Sequence, residues 1–268
     1  MAFLTIAAAI TAFSPPLAAA PTPVALPDAR PALWMVADAD TTVYLFGTFH
    51  ALDGLSAWFN DEVEGAFTDS DQLVLETIIP GTSAPVAKAR PFGAIGPVAR
   101  VAGSASFLSS TKRVMSAGRA NGMSTAHGAD VILSDAAQAA GKPVAGLETF
   151  EFQLGMFSQL PPAPKAASGA QKAATMKALS AALVDLQAAW NRGDAEGFTP
   201  MLEQMRAKSP AMYQMMFADR NTRWAKWIAR RLEQPGTVFV AVGAGHLAGR
   251  DSVQAKLSTL GLGTARLN

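Results

Sequence analysis

The sequence predicts an α/β (or α+β) fold: a mixed β-sheet with flanking helices, a helical insertion and a cleft at the strand ends. Three observations lead there. Short apolar runs bounded by turn residues recur along the chain, at 43–46, 72–79, up to Glu148, and 237–242. Segments with helical spacing lie between them. Two of the runs also lead into the same kind of sequence, Gly47-Thr48-Phe49-His50 and Gly243-Ala244-Gly245-His246.

Taken in order, Leu33 to Val36 and Val43 to Phe46 are short β-prone runs separated by an Asp/Thr turn, which predicts a hairpin. Trp58, Val63 and Phe67 follow helical spacing, and QLVLETII (72–79) is a continuous apolar run with one carboxylate, Glu76, predicting a buried strand. Residues 80–128 are rich in Gly, Ala, Ser and Pro with weak periodicity, so irregular structure or short helices are expected. Val131 to Ala140 predict a helix, Gly141-Lys142-Pro143 a break, and the next residues a strand ending at Glu148. A Pro/Ala-rich connector spans 161–174, and helix dominates from there to Gln234. A strand from Thr237 to Val242, a helix and a short strand close the chain.

Composition narrows the function. Of 268 residues, 50% are hydrophobic, enough for one sizeable core. Lys plus Arg is 22 against 21 for Asp plus Glu, so no net field gathers nucleic acid around the protein. Residues 1–20 resemble a secretory signal peptide, with the apolar segment Ala2 to Phe13 followed by Ala18-Ala19-Ala20, though no Lys or Arg precedes them. Residues 21–31 form a Pro-rich leader, and 32–268 are expected to be one domain. The apolar segment falls far short of the ~20 residues that span a bilayer. The expectation is therefore a periplasmic or secreted protein with no stable membrane insertion after signal removal.

Cysteine is absent, which removes thiolate catalysis and disulfides, and leaves His, Asp and Glu as the available metal ligands. Four strand ends carry such groups: His50, Glu76 in Leu75-Glu76-Thr77, Glu148 in Leu147-Glu148-Thr149, and His246. Ligands of open α/β sheets collect beyond the carboxyl ends of strands, so this His-Glu-Glu-His set can converge there. A glycine before each histidine fits a tight turn. Imidazole nitrogen with carboxylate oxygen suits Zn, Mn, Co or Fe(II), and His50, His246 and Glu76 as ligands leave positions open for water and substrate. A neighbouring carboxylate can then accept the proton of the bound water. The competing reading is structural: a hydrogen-bonded histidine after a strand, or an exposed Glu148 beside a Thr149 helix cap. His127 lies in a loop-like context and reads as surface.

In MYQMMFADRNTRWAKWIARRL, Phe217, Arg220, Trp224 and Trp227 share one helical face, so an arginine interrupts an apolar stripe. Either Arg220 snorkels to the edge of the core, or a glutamate holds its guanidinium inward, where with Asn221 it orients a ligand or meets substrate charge. Trp224 and Trp227 read as core.

LWMVADADTTVYLFGTFHAL, LVLET, GADVIL with AAGKPVAGLETFEFQ, and DRNTRWAKWIARRL with VFVAVGAGHLAGRDSVQAKLSTLG together resemble the TraB/GumN/PrgY family, which includes the Tiki peptidases. The match covers about 32–79, 128–160 and 210–268. The resemblance implies a divalent-metal-dependent hydrolase, with Tiki members acting as peptidases with manganese or cobalt; together with the ligand chemistry, the expected ion is Mn, Co or Zn, and the expected substrate a peptide or other small polar molecule. It places function on His50, Glu76, His246 and Arg220, with Glu148 as a further match. An esterase on the same scaffold, or a noncatalytic periplasmic binding or polysaccharide-assembly protein, are the alternatives.

Overall fold

The computed structural model describes residues 27–78, 104–158 and 168–268. The signal-peptide reading of 1–20, most of the Pro-rich leader, and residues 80–103 and 161–167 of the segments discussed above lie outside the described residues. Among the described residues, six strands make one sheet: β1 (Leu33–Ala37), β2 (Thr41–Thr48), β3 (Gln72–Thr77), β4 (Val144–Glu148), β5 (Gly236–Gly243) and β6 (Ala265–Arg266), in the order β4-β3-β5-β2-β1-β6. The predicted hairpin forms, with Leu33 opposite Phe46 and Val36 opposite Val43. Asp38 holds its turn by accepting from the backbone N–H of Asp40 and Thr41 at 3.2 and 3.0 Å.

β2, β5, β3 and β4 run parallel, while β1 pairs antiparallel with β2 on one side and with β6 on the other. The four parallel strands therefore release their carboxyl ends at a single edge, the arrangement the strand-end argument needs. β5 comes last of these four in sequence yet inserts between β3 and β2, which brings the second histidine loop beside the first.

Period-two alternation splits the sheet's side chains between two cores. Phe46, Leu73, Leu75, Phe239 and Ala241 pack on one face, against Val63 and Phe67 of α1 (Asp61–Thr68), Leu133 and Ala137 of α3 (Ala129–Ala139), and Trp190. Val43, Leu45, Val74, Val238, Val240 and Val242 pack on the other, against Trp224, Ala225 and Ile228 of α8 (Asp219–Arg231) and Leu257 of α9 (Val253–Thr259). Each fully buried Phe or Leu contributes roughly 1.5–3 kcal/mol. Trp224 is core as expected, and Trp227 packs partly buried at that core's margin.

Several expectations need correcting. Trp58 precedes α1 rather than joining it: Asn60 caps the helix by accepting from the Val63 N–H at 3.3 Å, and Trp58 stacks on Phe46 with centroids 5.6 Å apart. Residues 104–119, expected to be irregular or in short helices, form the 16-residue α2 (Ser104–Arg119). Small and polar residues separate its apolar positions, Phe107, Leu108, Val114 and Met115, which weakens the periodic signal. The helix instead leans on α5 (Gly169–Asn191), and just past its end Asn121 Nδ2 donates to Ser180 Oγ at 2.7 Å. That long helix also absorbs residues 169–174 of the supposed connector, capped by Ser168. Helices α4 (Phe150–Ser158), α6 (Thr199–Lys208) and α7 (Pro210–Tyr213), with a π turn over Gln214–Ala218 leading into α8, complete the path.

Candidate functional site

His50, Glu76 and His246 line a common cleft, while Glu148 is buried against Arg220, which lines the cleft too. Phe217 and Trp224 carry out the stripe's expected task in an unforeseen way: they hold the His246 imidazole, with ring centroids at 4.8 and 4.4 Å. The π turn supplies the register that brings Phe217 there.

The arginine is turned inward. Arg220 is 2% exposed, and its Nε lies 3.0 Å from both oxygens of Glu148. Nη2 donates to Glu148 Oε2 at 2.7 Å and to Glu76 Oε1, while Nη1 donates to the Met216 carbonyl at 3.2 Å. The guanidinium thus bridges both glutamates, where the sequence left the choice between them open, and it also lies over the Trp224 ring at 4.7 Å. Burial opposes its charge, but the Glu76 and Glu148 carboxylates prevail and raise its pKa. Snorkelling is excluded.

Thr149 is the helix cap that the bland reading required, accepting from the Phe152 N–H at 3.1 Å. Glu148 nevertheless stays buried, held by Arg220, by Arg223 at 3.3 Å and by Gln153 Nε2 at 3.3 Å. Glu76 has more freedom. Its Oε1 accepts from Gln153 Nε2 at 2.9 Å as well as from Arg220, whereas Oε2 accepts from the Gly243 N–H at 3.3 Å. Burial alone would raise the Glu76 pKa, but Arg220 above all, then His246 and His50, hold it well below the usual carboxylate range.

The two histidines are anchored alike. His246 Nδ1 lies 2.6 Å from Asn221 Oδ1. The Asn221 amide cannot be turned round, because its Nδ2 already donates to the Asp251 and His246 carbonyls at 2.7 and 3.3 Å. Nδ1 must then carry the proton, and Nε2 presents a lone pair. That lone pair lies 3.2 Å from Arg220 Nη1 and 3.9 Å from Glu76 Oε2. Burial, reinforced by Arg220, pushes the His246 pKa down to about 3, so the ring is neutral.

His50 Nδ1 meets Asp130 Oδ1 at 3.2 Å, which leaves Nε2 on the cleft side. Protein surrounds the ring closely enough to disfavour its charge, yet the Asp130 bond and charge outweigh this and raise the His50 pKa. Its side chain is still 64% open to solvent, so water in the cleft screens part of that effect. Asp130 sits in the first turn of α3, whose N-terminus docks on the His50 loop through Ala129 N–H to the Phe49 carbonyl at 3.0 Å.

The glycines act through space rather than through a turn. Neither Gly47 nor Gly243 has positive φ. A Cβ on Gly47 would stand 3.1 Å from the Ala244 Cα. On Gly243 it would stand 3.5 Å from Glu76 Oε2, 3.6 Å from His246 Cδ2 and 3.7 Å from His50 Nε2. The bare Gly243 backbone is therefore the floor onto which the three groups converge.

Donor types and tautomers fit a divalent ion, since metal-bound histidines use one ring nitrogen and anchor the other. The spacing does not reach that far: among the described residues, no three His, Cys, Asp or Glu side chains form a group able to hold a metal ion. Arg220 Nη1 stands at the His246 lone pair instead. The expected metal-centred cleft is thus not seen as such. His127 is exposed, as read. Asp130 and Gln153 were missed by the sequence reading, although both fall in stretches that carried the family resemblance, GADVIL and GLETFEFQ. Among the described residues, no helix is long and apolar enough to cross a membrane.

A sequence model described as TraB/PrgY/gumN family matches residues 32–90 and 100–263 of the chain. No curated protein and no solved structure matches it.

Proposed function

The chain belongs to the TraB/PrgY/gumN family, and from that premise we propose that it is a divalent-metal-dependent hydrolase, a peptidase acting in the periplasm or outside the cell after loss of residues 1–20. His50, His246 and Glu76 would hold the ion, with Mn, Co or Zn as candidates. One observation supports this most: two histidines, anchored at Nδ1 by Asp130 and Asn221, turn Nε2 toward a glycine floor beside a carboxylate oxygen with spare lone pairs. An ion bound there would supply a Lewis acid and lower the pKa of bound water toward ~7.

The chain's own groups divide the remaining work. Glu76 Oε2, the carboxylate atom with lone pairs to spare, would serve one task at a time: it would ligate the ion, or, while the two histidines hold the ion, take a proton from water and return it to a leaving amine. Glu148 is saturated by Arg220, Arg223 and Gln153, so it acts as a positioning residue that fixes the guanidinium. Arg220 Nη1, once it leaves His246, would be a cationic donor for a developing oxyanion in the cleft. The experiment is a peptide-library cleavage assay with added Mn or Co on the wild type, His50→Ala, His246→Ala, Glu76→Gln and Glu148→Gln. Loss of ~10² to 10⁴ in rate for Glu76→Gln, with the fold intact, is the expected result. Cleavage that survives a chelator and both histidine changes rules the mechanism out.

A second reading is a noncatalytic periplasmic binding or polysaccharide-assembly protein, and a specific contact favours it: Arg220 Nη1 already satisfies the His246 lone pair without a metal. Absence of cleavage of peptides and of esters by metal-loaded protein would move the assignment there. Cleavage of esters alone would mark an esterase on the same scaffold.

A further inference from the structure

The cleft above the strand ends holds about 360 Å³, near the lower end of the ~300–1,000 Å³ typical of ligand sites. Its floor and its walls differ in chemistry. Among the described residues, polar side chains line it only at the sheet edge, at Thr48, His50, Glu76, Arg220 and His246. The walls, contributed by α2, α5, α6 and the π turn, are apolar. Four of the chain's 11 methionines converge there, Met115, Met123, Met201 and Met216, with Phe49 and Phe217 beside them. Two wall residues stay open to water, Val114 at 42% and Met201 at 36% exposure.

We propose that these walls select a peptide substrate by one bulky apolar side chain, of the size of Phe, Leu or Met, seated next to the bond that lies over His50, Glu76 and His246. The inference rests on the cleft being the substrate site. Methionine's unbranched, polarisable side chain adapts to aromatic and aliphatic groups alike, so the walls choose by apolarity and bulk rather than by one shape. A sugar chain is disfavoured, because its hydroxyl groups would leave water for walls whose described side chains offer no donors or acceptors. A charged or small polar residue gains nothing there.

The test separates binding from turnover. Full-length protein carrying ¹³C-labelled methionine methyl groups is kept in chelator and titrated with Ac-Gly-Gly-X-Gly-Gly-amide peptides, where X is Phe, Leu, Ser or Asp, and with cellotriose. The methyl signals of Met115, Met123, Met201 and Met216 should shift with Phe and Leu peptides at concentrations at least about tenfold lower than with Ser or Asp, a difference of ~1.4 kcal/mol. Val114→Asp and Met201→Asp replace solvent-exposed side chains, so the fold should persist while the preference disappears. Methyl signals unmoved by every ligand, equal response to Ser and Phe, or tighter binding of cellotriose would overturn the proposal. An apolar preference in a protein that cleaves nothing would sink the hydrolase reading and leave this one standing.

Discussion

Replacing Arg220 with methionine isolates the ionic bridge beneath the cleft. The change keeps an unbranched apolar stem against Trp224 but leaves Glu148, whose side chain is 4% exposed, and Glu76, at 18%, without the buried guanidinium. Breaking a buried ion pair by removing one partner costs ~3–5 kcal/mol. Two carboxylates lose their cation here, yet Glu148 keeps Arg223 at 3.3 Å and both keep Gln153, so the expectation stays within that range rather than doubling. Urea denaturation at pH 7 measures it. The sign of the pH dependence is specific. In the wild type the Glu76 pKa is held below its unfolded value of ~4.3. Its stabilisation is therefore complete above that value and is lost as pH falls through it toward the folded pKa. In the variant Glu76 loses the charge that most lowers its pKa while burial still raises it, so mild acid neutralises and relieves that carboxylate. The gap between wild type and variant should narrow from pH 7 to pH 5, and Arg220→Met with Glu76→Gln and Glu148→Gln should recover most of it. A loss below ~1 kcal/mol at pH 7, or a gap that widens on acidification, would refute the reasoning.

Asp130→Asn removes the carboxylate that raises the His50 pKa, so the imidazole should titrate at lower pH in a histidine NMR experiment; an unchanged midpoint would show that Asp130 does not govern the ring. Gly243→Ala places a methyl at ordinary contact distance from Glu76, His246 and His50, so stability should change by less than ~1 kcal/mol while any ion or ligand seated over the floor is retained at least tenfold less well. Stability and retention falling together would mean that the glycine serves the backbone. Gly128→Ala should behave in the opposite way, because its Cβ would stand 2.9 Å from the His50 carbonyl carbon and closer still to the oxygen. A loss of ~1–3 kcal/mol in chemical denaturation is expected, and a neutral result would show that the docking of α3 on the His50 loop is pliable.

The hairpin, the parallel strands and the convergence of their ends were legible because each rests on local signals that the sheet reinforces: β-prone runs, turn residues, and polar groups placed after apolar runs. The inward course of Arg220 was legible for a similar reason, since an arginine inside an apolar helical stripe either reaches water or finds a carboxylate. Its double partnership was not, because Glu76 and Glu148 lie on strands whose adjacency depends on pairing over long sequence separation. The anchors of the histidines were hidden for the same cause: Asp130 reaches His50 only through the docking of α3, and nothing in the spacing of 80 residues announces that contact. Helix α2 escaped because small and polar residues break up its few apolar positions, and it packs against α5, far away in sequence. The role of the glycines was misjudged because sequence cannot tell a position that needs positive φ from one that needs an absent Cβ.

Metal retention tests the central claim most directly. The purified protein is dialysed against Mn, Co or Zn, freed of loose ions, and analysed for bound metal beside His50→Ala, His246→Ala and Glu76→Gln, with thermal melts confirming that each remains folded. The account predicts one ion per wild-type chain and at least tenfold weaker retention in each variant, because each supplies a ligand that the others cannot replace. Wild-type protein that holds no ion, or variants that hold it as tightly as the wild type, would contradict it.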